Sequence, residues 1–128
     1  MTEQQAIDYL LSRGEPYGLS LDEMKAMAPA SVSDCMVELA EFYKVSDISH
    51  IYPQSTHPHL ADESWNVFPE DPSVNRGRGA EVVTDSEMST ATADREIVAR
   101  EIDATYTFDG DTGMFDLIPD YIPVFGLA

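Results

Sequence analysis

Three histidines and the acids around them are the first residues with coordination chemistry. His57 and His59 flank Pro58, His50 lies shortly before them, and Asp62 and Glu63 follow. Imidazole nitrogen and carboxylate oxygen are donors that zinc and similar divalent ions accept. Strong zinc motifs hold their histidines at a rigid helical spacing, which a His-Pro-His segment lacks. The expectation is therefore a solvated, proline-rich loop with no metal and no cofactor. Cys35 is the only cysteine, so neither an internal disulfide nor a cysteine-only metal site is available to the chain. It stands between Asp34 and Met36, with no basic neighbour in sequence to favour a thiolate. A buried structural role is expected for it.

Asp109-Gly110-Asp111-Thr112-Gly113 shares letters with two known patterns. It resembles a calcium-binding loop, with acids at the first and third positions and Asp120 at the twelfth. Met114 stands where that loop needs glycine for its sharp turn. Asp111-Thr112-Gly113 also resembles the aspartic-protease signature, but Asp109 and Gly110 precede it in place of an apolar strand, and no second copy occurs. A hairpin turn accounts for the same residues. No nucleophile elbow and no phosphate-binding glycine loop is found. With 24 acids in the chain, paired carboxylates arise by coincidence, and none is assigned to acid–base work. No catalytic residue is expected, and the chain reads as non-enzymatic.

The elements that would position these groups begin with helices. Thr2 with Gln5 forms a capping box, and Ala6, Ile7, Leu10 and Leu11 recur at helical spacing. Gly14 is the expected stop, with Pro16 beyond it. Ser20 with Glu23 opens a second helix that must end before Pro29. Ser31 with Asp34 is expected to open a third, whose Val32, Cys35, Met36, Leu39, Phe42 and Tyr43 share one face. From residue 51 to 79 the chain turns irregular: short strands are expected around Ile48, Ile51 and Tyr52 and around Trp65, Val67 and Phe68, and residues 75–79 read as a flexible basic loop. The last part, residues 80–128, reads as a strand over 80–84, a helix over 90–101 capped by Thr90 or Thr92, and an alternating strand over 102–108. A hairpin into Met114 to Ile118 and an apolar tail over 121–128 follow. The predicted class is α+β in a single domain: a three-helix unit over 1–50 packed with a small antiparallel sheet and a C-terminal hairpin.

The N-terminal pattern resembles a winged-helix or helix-turn-helix module. Tyr9-Leu10-Leu11-Ser12-Arg13-Gly14, Gly18 to Met24, the turn Pro29-Ala30-Ser31 and then Ser33 to Lys44 follow its spacing, with the last stretch in the place of the recognition helix. DNA readers put basic and amide groups on that helix. Here it offers Asp34, Glu38 and Glu41, with Lys44 only at its end.

Charge narrows the partners. The formal net charge is −17, from 24 acids against seven Lys and Arg. The balance is −6 over residues 1–50, −2 over 51–80 and −9 over 81–128. Such a field repels nucleic acid and anionic membrane and attracts basic surfaces. No apolar run approaches the ~20 residues of a membrane-spanning helix, and no leader segment precedes the first helix, so a cytoplasmic location is expected (the host cytoplasm, for a phage-encoded chain). In size and charge the chain resembles small phage-borne inhibitors of host defence, including anti-CRISPR and anti-restriction proteins. That resemblance implies a partner that is a basic, nucleic-acid-binding protein, with carboxylates in place of phosphates. Spread evenly over about 7,000 Å², −17 is roughly one charge per 400 Å², against about one per 100 Å² on duplex DNA. Mimicry therefore needs acids on one face, and the expected partner-binding set is Asp103, Asp109, Asp111, Asp116 and Asp120, joined by Glu81, Asp85 and Glu87. The alternative is a winged-helix-type regulator or structural protein from a high-salt organism. The apolar tail would serve the core or a homodimer equally well.

Overall fold

The computed structural model describes the backbone of residues 1–109 and 114–117 and the side chains of residues 1–102. The architecture is α+β, in agreement with the sequence. Helix α1 (Glu3–Gly14) starts at the predicted capping box: the Thr2 hydroxyl accepts from the Gln5 N–H at 3.2 Å, and the Gln5 side chain accepts from the Thr2 N–H at 2.9 Å. Gly14 does not end the helical path. A single 3₁₀ turn (Glu15–Tyr17) continues it, and the stop is Gly18, at φ 67°. Helix α2 (Leu21–Met27) opens on the predicted Ser20/Glu23 box and ends before Pro29.

The expected third helix is two. Helix α3 (Ala30–Ser33) starts directly after Pro29, and α4 (Met36–Lys44) starts after Cys35, whose backbone is extended at φ −121°, ψ 117°. Ser31 is thus inside α3 and caps nothing, and Cys35 is a half-buried N-cap residue between helices rather than part of a helical face. The break has a packing reason. α3 packs on the later helix α6 (Asp85–Thr105), whereas α4 packs on α1 as well as α6, and the extended residue redirects the chain between them. The core lies here. Leu10, Met24, Val32, Leu39, Phe42 and Tyr43 are fully buried, and the Tyr43 hydroxyl donates to the Met24 carbonyl oxygen at 2.7 Å. Burial pushes the Tyr43 phenol well above its ordinary range, so it stays a donor.

Strand β1 (Asp47–His50) pairs antiparallel with β2 (Val67–Glu70), in the register Asp47↔Glu70 to His50↔Val67. Ile51 and Tyr52 fall just beyond β1, and Trp65 belongs to a 3₁₀ turn (Ser64–Asn66) ahead of β2. The 75–79 segment is helical rather than a loop. Asp71 caps α5 (Pro72–Arg78) by accepting from the Ser73 N–H at 2.8 Å, Pro72 occupies the first turn, and Gly79 at φ 64° ends it.

Residues 80–84 form no strand, contributing one ladder-like bond from the Val83 N–H to the Ile51 carbonyl oxygen. They lead into α6 (Asp85–Thr105), which is longer than expected at both ends. Its cap is Thr84, not Thr90 or Thr92: Thr84 and Glu87 exchange backbone N–H bonds at 3.1 Å each way. Those two threonines instead bond back to the carbonyl oxygens of Ser86 and Met88 within the helix. Val98, Ala99 and Ile102 seal the core from this helix. The alternating segment is strand only from Tyr106: β3 (Tyr106–Asp109) pairs antiparallel with β4 (Met114–Leu117), as a hairpin requires. The expected turn over 110–113 and the tail over 121–128 lie outside the described residues.

Two substitutions test this account by urea denaturation. Thr84→Ala removes the α6 cap and is expected to cost about 1 kcal/mol. Gly18→Ala is expected to cost more than the roughly 1–2 kcal/mol of a left-handed backbone, because its new Cβ would meet the Asp62 carbonyl oxygen at 2.7 Å.

Candidate interaction surface

Gly18 also explains how a surface groove is built. Lacking a Cβ, it lets the chain ahead of α2 lie directly against the backbone of Asp62. The 58–66 segment is thereby held beside α2, and a slot of about 300 Å³ opens between them. Leu19, Met27 and Val67 supply its apolar floor, Trp65 one wall, and Glu23 and Ser64 the polar rim. Glu23 and Met27 are one helical turn apart on α2, which puts both on the slot side. The Glu23 carboxylate accepts from the Ser20 N–H at 3.0 Å. Its carboxyl is held below the usual range by the Ser64 hydroxyl first, and then by Ser20.

Trp65 is 55% exposed, the most open large apolar residue among those described. Tyr52 meets it edge-on, at 6.2 Å between ring centroids, and His57 packs on Tyr52 at 5.3 Å. Behind this cluster Asn66 is completely buried. Its side chain accepts from the Tyr52 N–H at 2.8 Å and donates to the carbonyl oxygens of Tyr52 and Leu60.

Each histidine has a partner close by in the chain. His50 bonds through Nε2 to the Ala61 carbonyl oxygen at 3.0 Å, His57 bonds to the Thr56 hydroxyl at 2.8 Å, and the His57 and His59 rings stand 6.2 Å apart. Among the described residues no three His, Cys, Asp or Glu side chains converge on one point.

Five of the seven Lys and Arg bond to groups of the chain itself, whereas Arg100 is exposed. Arg78 is the clearest case, with a side chain only 4% exposed. It forks onto Glu70, whose side chain is 2% exposed, with Nη1 donating to Oε1 at 2.8 Å and Nη2 to Oε2. Its Nε donates to Glu87 at 2.6 Å, and the Ser49 hydroxyl completes the Glu70 shell. Arg13 donates to the Ser46 carbonyl oxygen, and Arg95 donates to that of Met27 while lying over the Phe68 ring. Arg76 pairs with Asp47, and Lys44 pairs with Glu41. Exposed acids, in contrast, stand on every side of this framework: Glu3 and Asp8 on α1, Asp22 on α2, Asp34 between α3 and α4, Asp62 and Glu63 beside the slot, and Glu96 on α6.

Of the acids expected to bind a partner, Glu81 and Asp85 are exposed and close together in sequence at the start of α6. Glu87 is committed to Arg78 and Thr84. Asp103, Asp109 and Asp116 have a described backbone only, and Asp111 and Asp120 lie outside the described residues. The slot was missed by sequence reasoning, because its parts come from residues 19 to 67 and three of them look like ordinary core. The signal available was Trp65 itself, a lone tryptophan next to a serine and two acids. The helix in the recognition-helix position offers no groove-reading face: Val37, Glu38, Leu39, Ala40, Phe42 and Tyr43 of α4 are all buried.

Arg78→Met strands the Glu70 carboxylate in the interior and is expected to cost about 3–5 kcal/mol at pH 7. The dependence on pH follows from Glu87, which Arg78 and then Thr84 hold below its ordinary value of 4.5. A lowered carboxyl stabilises the fold above that value and loses its contribution as pH falls through the folded one. The part of the gap between wild type and Arg78→Met that comes from Glu87 should therefore be full at neutral pH and be lost below about 4.5, so that the gap in urea denaturation is smaller at acid pH than at neutral pH.

The chain matches no protein-family model, no curated protein and no solved structure.

Proposed function

We propose that this chain is a non-enzymatic cytoplasmic protein that binds a basic surface on a nucleic-acid-handling protein and, by occupying it, excludes nucleic acid. The observation that carries this reading is the direction in which its charges point. Arg13, Arg78 and Arg95 are spent on internal carbonyls and carboxylates, and Arg76 and Lys44 on neighbouring acids. Arg100 and the largely open Arg76 side chain also face solvent, so the outward field is set by the excess of exposed carboxylates over these few cations. A basic partner is attracted over about a Debye length, ~10 Å at 0.1 M salt, and DNA is repelled over the same range.

A second reading draws on the same acids. Their presence on α1, α2, the α3–α4 junction and α6 is the even halo that adaptation to high salt would leave, with the charge then serving solubility. Among the described residues no helix is long and apolar enough to cross a membrane.

The two readings separate in solution. The immobilised chain should retain one nucleic-acid-handling protein from bacterial lysate at low salt. With that protein purified, the dissociation constant should rise steeply from 50 to 200 mM salt, and duplex DNA should compete. If nothing specific is retained and the chain folds only in molar potassium chloride, the acids are a salt adaptation.

A further inference from the structure

We propose that the slot between α2 and the Ser64–Val67 segment receives an arginine side chain projecting from the basic partner, stacked on Trp65 and paired with Glu23. The inference rests on the reading of the chain as a binder of basic surfaces and names the contact that makes such binding selective.

The slot is graded in a way that suits one side chain better than the others. Leu19, Met27 and Val67 form an apolar floor, and Glu23 places a carboxylate at the rim beside Trp65. Arginine has an aliphatic stem to lie on such a floor and a planar, weakly hydrated cation at its end. That plane stacks on an indole and forks onto a carboxylate in one pose. Lysine has the stem but a compact, strongly hydrated ammonium that gives up the stacking and the fork. A neutral apolar residue would cover Glu23 without pairing it, and an acid would meet the field of a chain at −17.

The receiving groups are held ready. Trp65 has Tyr52 against its edge, and the backbone of Tyr52 is fixed by the buried Asn66 side chain, so one side of the indole is already occupied before binding. Exposed tryptophan of this kind, next to a partly apolar pocket, is the residue type that dominates interface energies. Glu23 is ionised at neutral pH, and the Ser64 and Ser20 hydrogen bonds lower its carboxyl further from the ordinary value. A carboxylate has about four acceptor positions, so these bonds leave room for a guanidinium.

Trp65 is the only tryptophan, so its fluorescence reports on the slot alone. The probes are a blocked peptide of alternating glycine and arginine and a lysine counterpart of equal length, titrated into the full chain at low salt. The arginine peptide should change Trp65 emission saturably, shield it from acrylamide, and bind more tightly than the lysine peptide. By calorimetry, Trp65→Ala should weaken the arginine peptide by about fivefold to thirtyfold, with Trp65→Phe retaining part of the affinity. Glu23→Gln should weaken it by up to about fivefold, and it is a clean removal of charge because glutamine also serves at that capping-box position. Both variants should weaken the arginine peptide more than the lysine peptide. Equal binding of the two peptides with Trp65 emission unmoved would overturn the slot and leave the general attraction to basic surfaces standing. Failure of both peptides to bind at low salt would remove that broader reading as well.

Discussion

The Arg78 guanidinium is where β2, α5 and α6 meet. Without it, Glu70 and Glu87 would bring two like charges together in a part of the molecule whose apolar support is thin: Phe68, Val83 and Ala91 form the small buried hydrophobic cluster there, with Met27, Ile51 and Met88 packed around them. Buried ion pairs seldom stabilise more than a well-packed apolar set would. What this one supplies is direction. The fork onto Glu70 fixes the last residue of β2, the Ser49 hydroxyl ties that same carboxylate to β1, and the third bond brings in the first turn of α6. The N-terminal half needs no such device, because α1, α4 and α6 enclose a continuous core of Leu10, Leu39, Phe42, Tyr43 and Val98.

Acidity and architecture are linked through this economy of cations. A chain with seven Lys and Arg against 24 acids is under self-repulsion, and the least costly use of a scarce cation is where a carboxylate or carbonyl oxygen is already out of water. The surface acids then act at two ranges. Spread over the exterior, they set a field that decides which surfaces approach. Beside Trp65, a carboxylate lies against apolar walls, where the local dielectric is lower and contact chemistry matters more than the field.

Sequence and structure agree where a rule involves only neighbours. The Thr2/Gln5 and Ser20/Glu23 boxes, the end of α2 before Pro29 and the α+β class follow from spacing alone. The Thr84/Glu87 box obeys the same rule, while Thr90 and Thr92 sit inside the helix and bond back to their own turn. Asp71-Pro72-Ser73 is likewise a helix start, in a stretch whose irregular composition masks it. The break at Cys35 has no local signal, since it depends on α3 and α4 having different packing partners. The slot is less legible still. Leu19, Met27 and Val67 carry core-like patterns, and only the tertiary approach of Gly18 to Asp62 sets Trp65 beside Glu23. The acids expected to bind a partner belong mostly to the last part of the chain, and of that set side-chain surroundings are described for Glu81, Asp85 and Glu87 alone.

Asn66 acts on the chain as a buckle. One fully buried amide closes the mouth of the loop that leaves β1 at Tyr52 and returns at the start of β2, and further ties run from His50 to Ala61 and from Gly18 to Asp62. Between these anchors, Gln54, Ser55, Thr56, Pro58 and His59 face solvent. That tip is insulated from the core: its length and composition can vary over evolutionary time without disturbing how the helices pack. Because His57 in the same tip touches Tyr52, which in turn braces Trp65, variation there reshapes the ground next to the slot. The fold thus separates a packed scaffold from a small exposed region whose side chains meet few others.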